Sequence, residues 1–163
     1  MPSVDESSRP DSNSELEGLV SNQDAVRDVL HRFLRALDER DYQSAASYLT
    51  DPVRFDYRAL SGKFMPDSPD ALVAQVRDDH RHLDGVQHVV SNHVVNIDGT
   101  TAHCWVNFIA THSILRNGEP RTWTLGGRYR YQLIHQRGGW KLAECVITPV
   151  WEQGSRDIMT AAG

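Results

Sequence analysis

The sequence predicts one α+β domain, in which helices from the N-terminal half cover one face of a curved antiparallel sheet from the C-terminal half. The chain has 163 residues, 39% of them hydrophobic, which suits one domain with a core better than two. In the first half, apolar residues recur at the helical period. In the second half, long apolar strands alternate with Gly-containing turns.

Composition excludes several classes of function. With 17 Lys and Arg against 22 Asp and Glu, the formal net charge is −5, which argues against a nucleic-acid or membrane-surface binder. No apolar run approaches the roughly 18 residues of a membrane span, and no secretory signal is recognisable. We therefore expect a soluble, cytoplasmic protein. Cys104 and Cys145 lack zinc-ligand spacing and should be reduced and buried.

Three segments are expected along the chain. Residues 1–20 are rich in Ser, Asp, Glu and Pro, so we expect a disordered N-terminal tail. The folded domain should span residues 21–153, and residues 154–163 should form a C-terminal tail.

Three helices are predicted. The first should begin at a cap, Ser21 or Asn22, and carry an apolar stripe that ends before Asp38. The second should cover residues 42–49. The third should start at Ser68-Pro69 and end before Gly85, because proline favours the first helical position and glycine favours the residue after the last.

The strands follow from alternating apolar residues between turn signals. A short strand is expected at residues 53–60, before the third helix. An antiparallel meander of four strands should follow, at residues 86–97, 102–115, 122–135 and 140–150. A pocket between the helices and this sheet is the natural binding site.

Asp38 continues the apolar stripe of the first helix, so its carboxylate should point toward the covered interior. A buried carboxylate needs a partner there. Alternatively, Asp38 caps the second helix, a position that Asp41 could also take.

Of the eight histidines, His88 and His112 each interrupt an otherwise apolar strand. Neutral imidazoles suit proton transfer, although each could instead be a core histidine bonded to the backbone. A tight two-residue turn at Asp98-Gly99 would put the two histidines on opposite faces of the sheet, and a bulged three-residue turn would put them on the same face. We predict the bulged turn and a shared site.

The other histidines do not predict a metal site. His80 and His82 are two apart on a helix, and His88 and His93 should point to opposite faces of their strand. There is also no HExxH, nucleotide-binding or acyl-enzyme motif, so no metal and no cofactor are expected.

Tyr57 could donate a phenolic hydrogen bond into an apolar cavity, or it could be an ordinary half-buried aromatic residue. Other large apolar residues predict core or cavity wall. Those expected to contact a small hydrophobic cyclic substrate are Phe33, Leu37, Trp105, Phe108, Tyr129 and Trp151.

Four segments in order carry a family resemblance: LRALDERDYQSAASYLTDPVRFDYRAL (34–60), HLDGVQHVVSNH (82–93), FIATHSIL (108–115) and GGWKLAECVITPVW (138–151). Their order and spacing resemble the SnoaL-like branch of the NTF2-like superfamily, and within it the scytalone dehydratases. The resemblance covers about residues 22–153. It implies an NTF2-like cone in which three N-terminal helices pack on a curved antiparallel sheet around an apolar pocket.

The resemblance also implies an enzyme, a lyase that removes water from a hydroxyketone without a cofactor. Asp38, His88 and His112 match the catalytic acid-base residues, and Tyr57 matches the tyrosine that polarises the substrate carbonyl. Asp38 should orient one imidazole, for which we expect His112. Family members commonly assemble through the open sheet face, so a homo-oligomer, a dimer or trimer, is expected. The alternatives are a cyclase or isomerase of a polyketide-like intermediate, or a non-catalytic binding module.

Overall fold

A five-stranded sheet and a layer of helices form the domain. The computed structural model describes residues 12–160; residues 1–11 and 161–163 of the two expected tails, and the side chains of residues 12–17 and 19–21, lie outside the described residues. The helices are α1 (Ser12–Asp38), α2 (Tyr42–Ser47), α3 (Arg58–Ser61) and α4 (Pro69–His80). The strands are β1 (Leu49–Asp56), β2 (Gly85–Asp98), β3 (Thr101–Arg116), β4 (Glu119–Gln136) and β5 (Gly139–Gly154), followed by a 3₁₀ turn (Arg156–Met159).

Helix α1 begins at Ser12, well before the expected cap at Ser21 or Asn22. Residues 12–20 therefore extend the helix, and the prediction of a tail is wrong for them. Elongating a helix that already exists costs much less than nucleating one, and the last proline before this stretch is Pro10. Neither α1 nor any other helix within residues 12–160 is long and apolar enough to cross a bilayer.

The caps of the next helices settle one alternative left open by the sequence. Asp41 caps α2, since its carboxylate accepts the Ser44 backbone N–H at 3.0 Å. Ser68 caps α4 as predicted, with Pro69 in the first turn. Asp38 is therefore free to interact elsewhere.

Strand β1 ends earlier than expected, at Asp56, and α3 follows it directly. The Asp56 carboxylate accepts the backbone N–H of Arg58 at 3.2 Å and its guanidinium Nε at 3.0 Å, which turns the chain out of the strand. Gly62 then ends α3 with a φ of 78°. The described chain thus has four α-helices, where we expected three.

The sheet confirms the predicted meander. Its strand order is β1-β5-β4-β3-β2, with antiparallel pairs between β2, β3, β4 and β5 and a parallel pair between β1 and β5. Side chains of one parity face the helices. In β3 these are the even-numbered residues, of which Cys104, Val106, Phe108, Ala110 and His112 are buried.

The β2–β3 hairpin changes register along its length. At its end, Asp98 pairs with Thr101 around the two-residue loop Gly99-Thr100, so the predicted bulged turn at Asp98-Gly99 is wrong. The register instead shifts by one residue inside β2, at Asn92, whose φ is 55°. An extra residue in one strand of an antiparallel pair is a β-bulge.

The bulge determines the orientation of the strand histidines. His88 pairs with Ala110, and Ala110 lies on the same face as His112, which confirms the predicted common face. Without the extra residue His88 would pair with Thr111, and a shift of one residue would turn its side chain away from the helices.

Substitutions at the exposed Asn92 test the bulge. Asn92→Gly should change the free energy of unfolding little, whereas Asn92→Val should lower it by about 1–2 kcal/mol, because a β-branched residue is disfavoured at positive φ. Ser91→Val, on the exposed neighbour in extended backbone, is the matched control and should be tolerated. Urea denaturation measures all three, and equal stabilities of the Gly and Val variants at position 92 would contradict the assigned backbone.

Candidate active site

A cavity of about 580 Å³ lies between the helices and the sheet, a size that suits a small organic ligand. Its wall is mostly apolar, and its apolar residues include Leu37, Leu60, Met65, Val76, Leu125 and Ile147. Its polar lining includes the imidazoles of His80, His88 and His112 and the phenols of Tyr57 and Tyr129, all buried or half-buried. It also includes the half-buried Gln75 and exposed polar residues: Ser61, Lys63, Asp79, Arg156, Asp157 and Thr160.

Asp38 binds His88 through both carboxylate oxygens. Oδ1 accepts the ring Nδ1–H at 2.6 Å, and Oδ2 accepts the backbone N–H at 2.9 Å. Only 19% of the Asp38 side chain and 9% of the His88 side chain are exposed. The expected partner, His112, is therefore wrong: β2 runs beside the end of α1, whereas His112 lies one strand further into the sheet.

The Asp38 contact defines the tautomer of His88. Because a carboxylate can only accept, the ring must donate from Nδ1, and the lone pair of the neutral imidazole is on Nε2. No hydrogen bond from the described residues occupies this Nε2, and His88 lines the cavity. The pair therefore offers a base oriented by a carboxylate.

His112 is buried in the neutral form. Its Nδ1 lies 3.3 Å from the backbone carbonyl of Trp123 and donates to it, and its ring stacks on the Trp123 indole with centroids 5.0 Å apart. Burial, followed by the neighbouring His88, lowers the pKa of His112 to about 4. Its Nε2 is then a hydrogen-bond acceptor.

His80, which we did not predict as a site residue, is the third imidazole of the cavity, beside His88 and His112. It ends α4, and its ring centroid lies 5.5 Å from that of His112. Burial, followed by His112, lowers the pKa of His80 to about 3, and its Nδ1 is buried without a partner among the described residues. The sequence did contain a signal, since His80 follows Val76 by one helical turn on the stripe that Leu72 begins.

The two tyrosines supply hydroxyl donors. Burial, followed by the neighbouring Tyr129, raises the pKa of Tyr57 well above its ordinary value, and burial also raises that of Tyr129. Both phenols are therefore protonated at neutral pH. Behind them, the Phe108 ring stacks on Tyr129 with centroids 4.0 Å apart.

The residues expected to contact substrate divide into three groups. Leu37 and Tyr129 line the cavity. Phe33 and Phe108 are buried but do not line it, because Phe33 packs edge-on against Phe55 and Phe108 lies behind Tyr129. These two support the cavity wall.

Trp105 and Trp151 lie on the outer face of the sheet, 40% and 44% exposed, so their assignment to the pocket is wrong. Trp105 alternates with buried neighbours in β3 and must point outward. Trp151 covers Gly126, where a Cβ atom would come within 2.1 Å of the indole. The pairing of Gly126 with Trp151 could not be recognised from the sequence, so the sequence did not indicate which face of the sheet Trp151 occupies.

The expected C-terminal tail contributes to the site. Arg156 donates to the Leu60 carbonyl at 3.0 Å, and its guanidinium lies 5.3 Å from the Trp123 ring centroid. Ile158 is fully buried, and Met159 lines the cavity. Burial of these two apolar side chains holds residues 156–159 against the domain, so the prediction of a tail from residue 154 is wrong there.

The described side chains contain no group of three or more His, Cys, Asp and Glu residues arranged to hold a metal ion. The imidazoles and phenols of the cavity are suited to proton transfer and hydrogen bonding. An aspartate-oriented imidazole, two neutral imidazoles and two phenols face one largely apolar space.

Solved structures with the same fold include several proteins of low sequence identity. A protein from Kribbella flavida, Kfla4162, has a TM-score of 0.77 at 19% identity and covers 83% of this chain and 95% of its own. A protein from Novosphingobium aromaticivorans, provisionally named a scytalone dehydratase, has a TM-score of 0.76 at 16% identity, covering 86% and 92%. The type 3 hexachlorocyclohexane dehydrochlorinase LinA from Novosphingobium barchaimii has a TM-score of 0.72 at 13% identity, covering 87% and 94%. At these identities the likeness shows a shared fold.

Sequence comparison assigns the family. No curated protein matches the chain in sequence. The family model of the SnoaL-like domain matches residues 19–146, which is most of the chain and contains Asp38, His88 and His112. With its α+β fold of helices on a five-stranded curved sheet, the protein belongs to the SnoaL-like domain family of the NTF2-like fold.

Proposed function

We propose that the protein is a cofactor-independent dehydratase that eliminates water from a small cyclic or polyketide-like hydroxyketone. The observation that carries this proposal is the Asp38–His88 pair at the wall of a largely apolar cavity. Family membership supports an enzyme of this class. The names of two similar structures, a dehydratase and a dehydrochlorinase, both describe an elimination.

The first step is removal of the proton on the carbon next to the substrate carbonyl. The lone pair on His88 Nε2 takes this proton, and the C–H electrons move toward the carbonyl oxygen as an enolate. Asp38 stabilises the imidazolium that forms, because its carboxylate already binds Nδ1–H at 2.6 Å.

The enolate oxygen needs a hydrogen-bond donor. Tyr57 and Tyr129 both line the cavity, and both retain their protons because their pKa values are raised. A donor that is already oriented in an apolar site stabilises the developing negative charge more than water does. We assign the main contact to Tyr57, with Tyr129 beside it.

The second step is departure of the hydroxyl group. His112 donates its Nδ1–H to the Trp123 carbonyl, so its Nε2 can accept the hydroxyl hydrogen of the substrate and position that group but has no proton to give. The proton must then come from the His88 imidazolium. The C–O bond breaks, a C=C bond forms and water leaves, with both hydrogen and hydroxyl removed on the face toward His88.

Isomerisation or cyclisation is the second candidate. The His88 imidazolium can return its proton to another carbon of the same enolate, or the enolate can attack a second carbonyl, with no change in the residues required. A non-catalytic binding module would not require the buried Asp38–His88 pair. Loss of water or rearrangement of a substrate distinguishes the three.

Substitution of the proposed base should abolish most turnover. His88→Ala removes an acid-base group worth roughly 10²- to 10⁴-fold in kcat. Asp38→Asn should also lower kcat strongly, because the amide NH₂ faces one of the two His88 donors and favours the wrong tautomer. His135→Ala, at an exposed position, is the matched control.

The assay follows enone absorbance with a panel of cyclic β-hydroxyketones, alongside thermal melts of every variant. If the His88→Ala protein melts far below the parent but retains its turnover, His88 is a structural residue and its proposed role as the base is refuted.

Removal of the hydroxyl group that stabilises the enolate should lower kcat less than removal of the base does. Tyr57→Phe is expected to lower kcat by about 10- to 10³-fold, because the Tyr129 hydroxyl or a water can replace the lost donor in part. Tyr129→Phe should have a smaller effect, and the double variant the largest. Steady-state kinetics of the three variants test this ranking, and an unchanged kcat in the double variant would contradict enolate stabilisation by phenols.

The neutral buried histidines should make the fold sensitive to acid. His80 and His112 have folded-state pKa values of about 3 and about 4, below the ordinary 6.5. At each residue, the unfolded chain therefore binds more protons than the folded chain between pH 6.5 and the folded-state pKa. The stability that depends on their neutral forms is complete above pH 6.5 and is lost as the pH falls toward about 4 for His112 and about 3 for His80. At pH 5 each should lower the free energy of unfolding by on the order of 2 kcal/mol relative to pH 7.5.

Urea denaturation at the two pH values measures this loss. The His80→Gln variant should show a clearly smaller difference between pH 7.5 and pH 5 than the parent. An equal difference in both proteins would mean that His80 does not resist protonation in the fold.

A further inference from the structure

A second histidine pair lies outside the cavity, where α1 crosses β2. The Nε2 atoms of His31 and His93 are 3.1 Å apart, and the ring centroids are 4.9 Å apart with the ring planes at 84°. We expected His88 and His93 on opposite faces of β2. The bulge at Asn92 changes the parity between these two residues, so that both point toward α1.

The geometry is that of two imidazoles able to share one ion. Two histidine nitrogens at the 2.0–2.1 Å typical of zinc are roughly 3–3.4 Å from each other. The centroids are closer than they would be in rings aligned end to end at the same nitrogen separation, so the rings are inclined to one another. An N–H···N hydrogen bond between the two rings would, by itself, favour rings aligned end to end.

The charges around the pair keep it available as a ligand. Burial, then His31 and then Arg27 lower the pKa of His93, which favours the neutral imidazole that binds metals. Arg27 is the cation near the pair, and its guanidinium is bound to Asp24 at 2.7 Å.

We propose that His31 and His93 form a binding site for a divalent transition-metal ion of the Zn²⁺ class. No third His, Cys, Asp or Glu of the described side chains joins the pair in a metal-binding group, so water would fill the remaining positions. Such a site exchanges its ion, unlike a closed four-ligand structural site. This inference does not depend on the proposed dehydratase activity.

The position of the site gives the ion a structural effect. His31 lies two helical turns before Asp38 on α1, and His93 directly follows the bulge residue of β2. A bound ion would therefore join the helix to the strand beside the bulge that orients His88. Because it binds the folded chain and not the unfolded one, it should raise the melting temperature.

Isothermal titration with ZnCl₂ at pH 7.5 tests the site, on protein that carries no polyhistidine tag. The parent and the His135→Gln control should each bind one ion per chain. His31→Gln and His93→Gln should each weaken zinc binding by at least about tenfold, because replacing residues that merely support metal ligands already weakens metal affinity about tenfold or more. The zinc-dependent rise in melting temperature should disappear in both variants.

Nitrogen NMR of the histidine rings in the parent protein avoids any effect of substitution on folding. Zn²⁺ should shift the Nε2 resonances of His31 and His93 together. Absence of stoichiometric binding, or binding as tight as that of the parent in either glutamine variant, or shifts at other histidines only, would overturn the proposal.

Discussion

The carboxylate of Asp38 binds two donors of one residue, the backbone N–H and the ring of His88, and these two bonds connect the helix layer to the sheet at the cavity wall. A largely buried charge without partners would destabilise the fold, but here both oxygens accept short hydrogen bonds. The same contact sets the tautomer of His88. The helix–sheet contact at this point and the tautomer of His88 therefore depend on one side chain.

That contact exists only because of the register of β2. With regular pairing from the turn onward, His88 would face outward, opposite Thr111 rather than Ala110. The extra residue at Asn92 restores the parity and costs little, because asparagine tolerates the left-handed backbone conformation better than most residues. His93 lies on the turn side of the bulge and faces α1 in the regular register, so the extra residue puts both His88 and His93 on the face of β2 toward α1.

Desolvation governs the remaining polar groups of the cavity. Burial keeps His80 and His112 neutral and keeps Tyr57 and Tyr129 protonated, so the full charge nearest to His88 is that of Asp38. In such surroundings a hydrogen bond is stronger than in water, and an unpartnered group such as His80 Nδ1 is costly. A ligand with hydroxyl or carbonyl groups would satisfy it.

Local periodicity let the sequence by itself determine the helical stripes, the four strands of the meander and the inward positions of Asp38 and His112, because these features depend on neighbours within a few residues. Tertiary structure decided the rest. The partner of Asp38 lies 50 positions away in the chain, the pairing shift arises inside β2, and the burial of Ile158 requires the finished sheet. The contact of Trp151 with Gly126 belongs to the same class. His80 and Trp105, by contrast, follow the periodicity of α4 and β3, which carried a signal for both. The other features depend on which surfaces meet after folding, and contacts between residues distant in sequence leave no periodic signal in the chain.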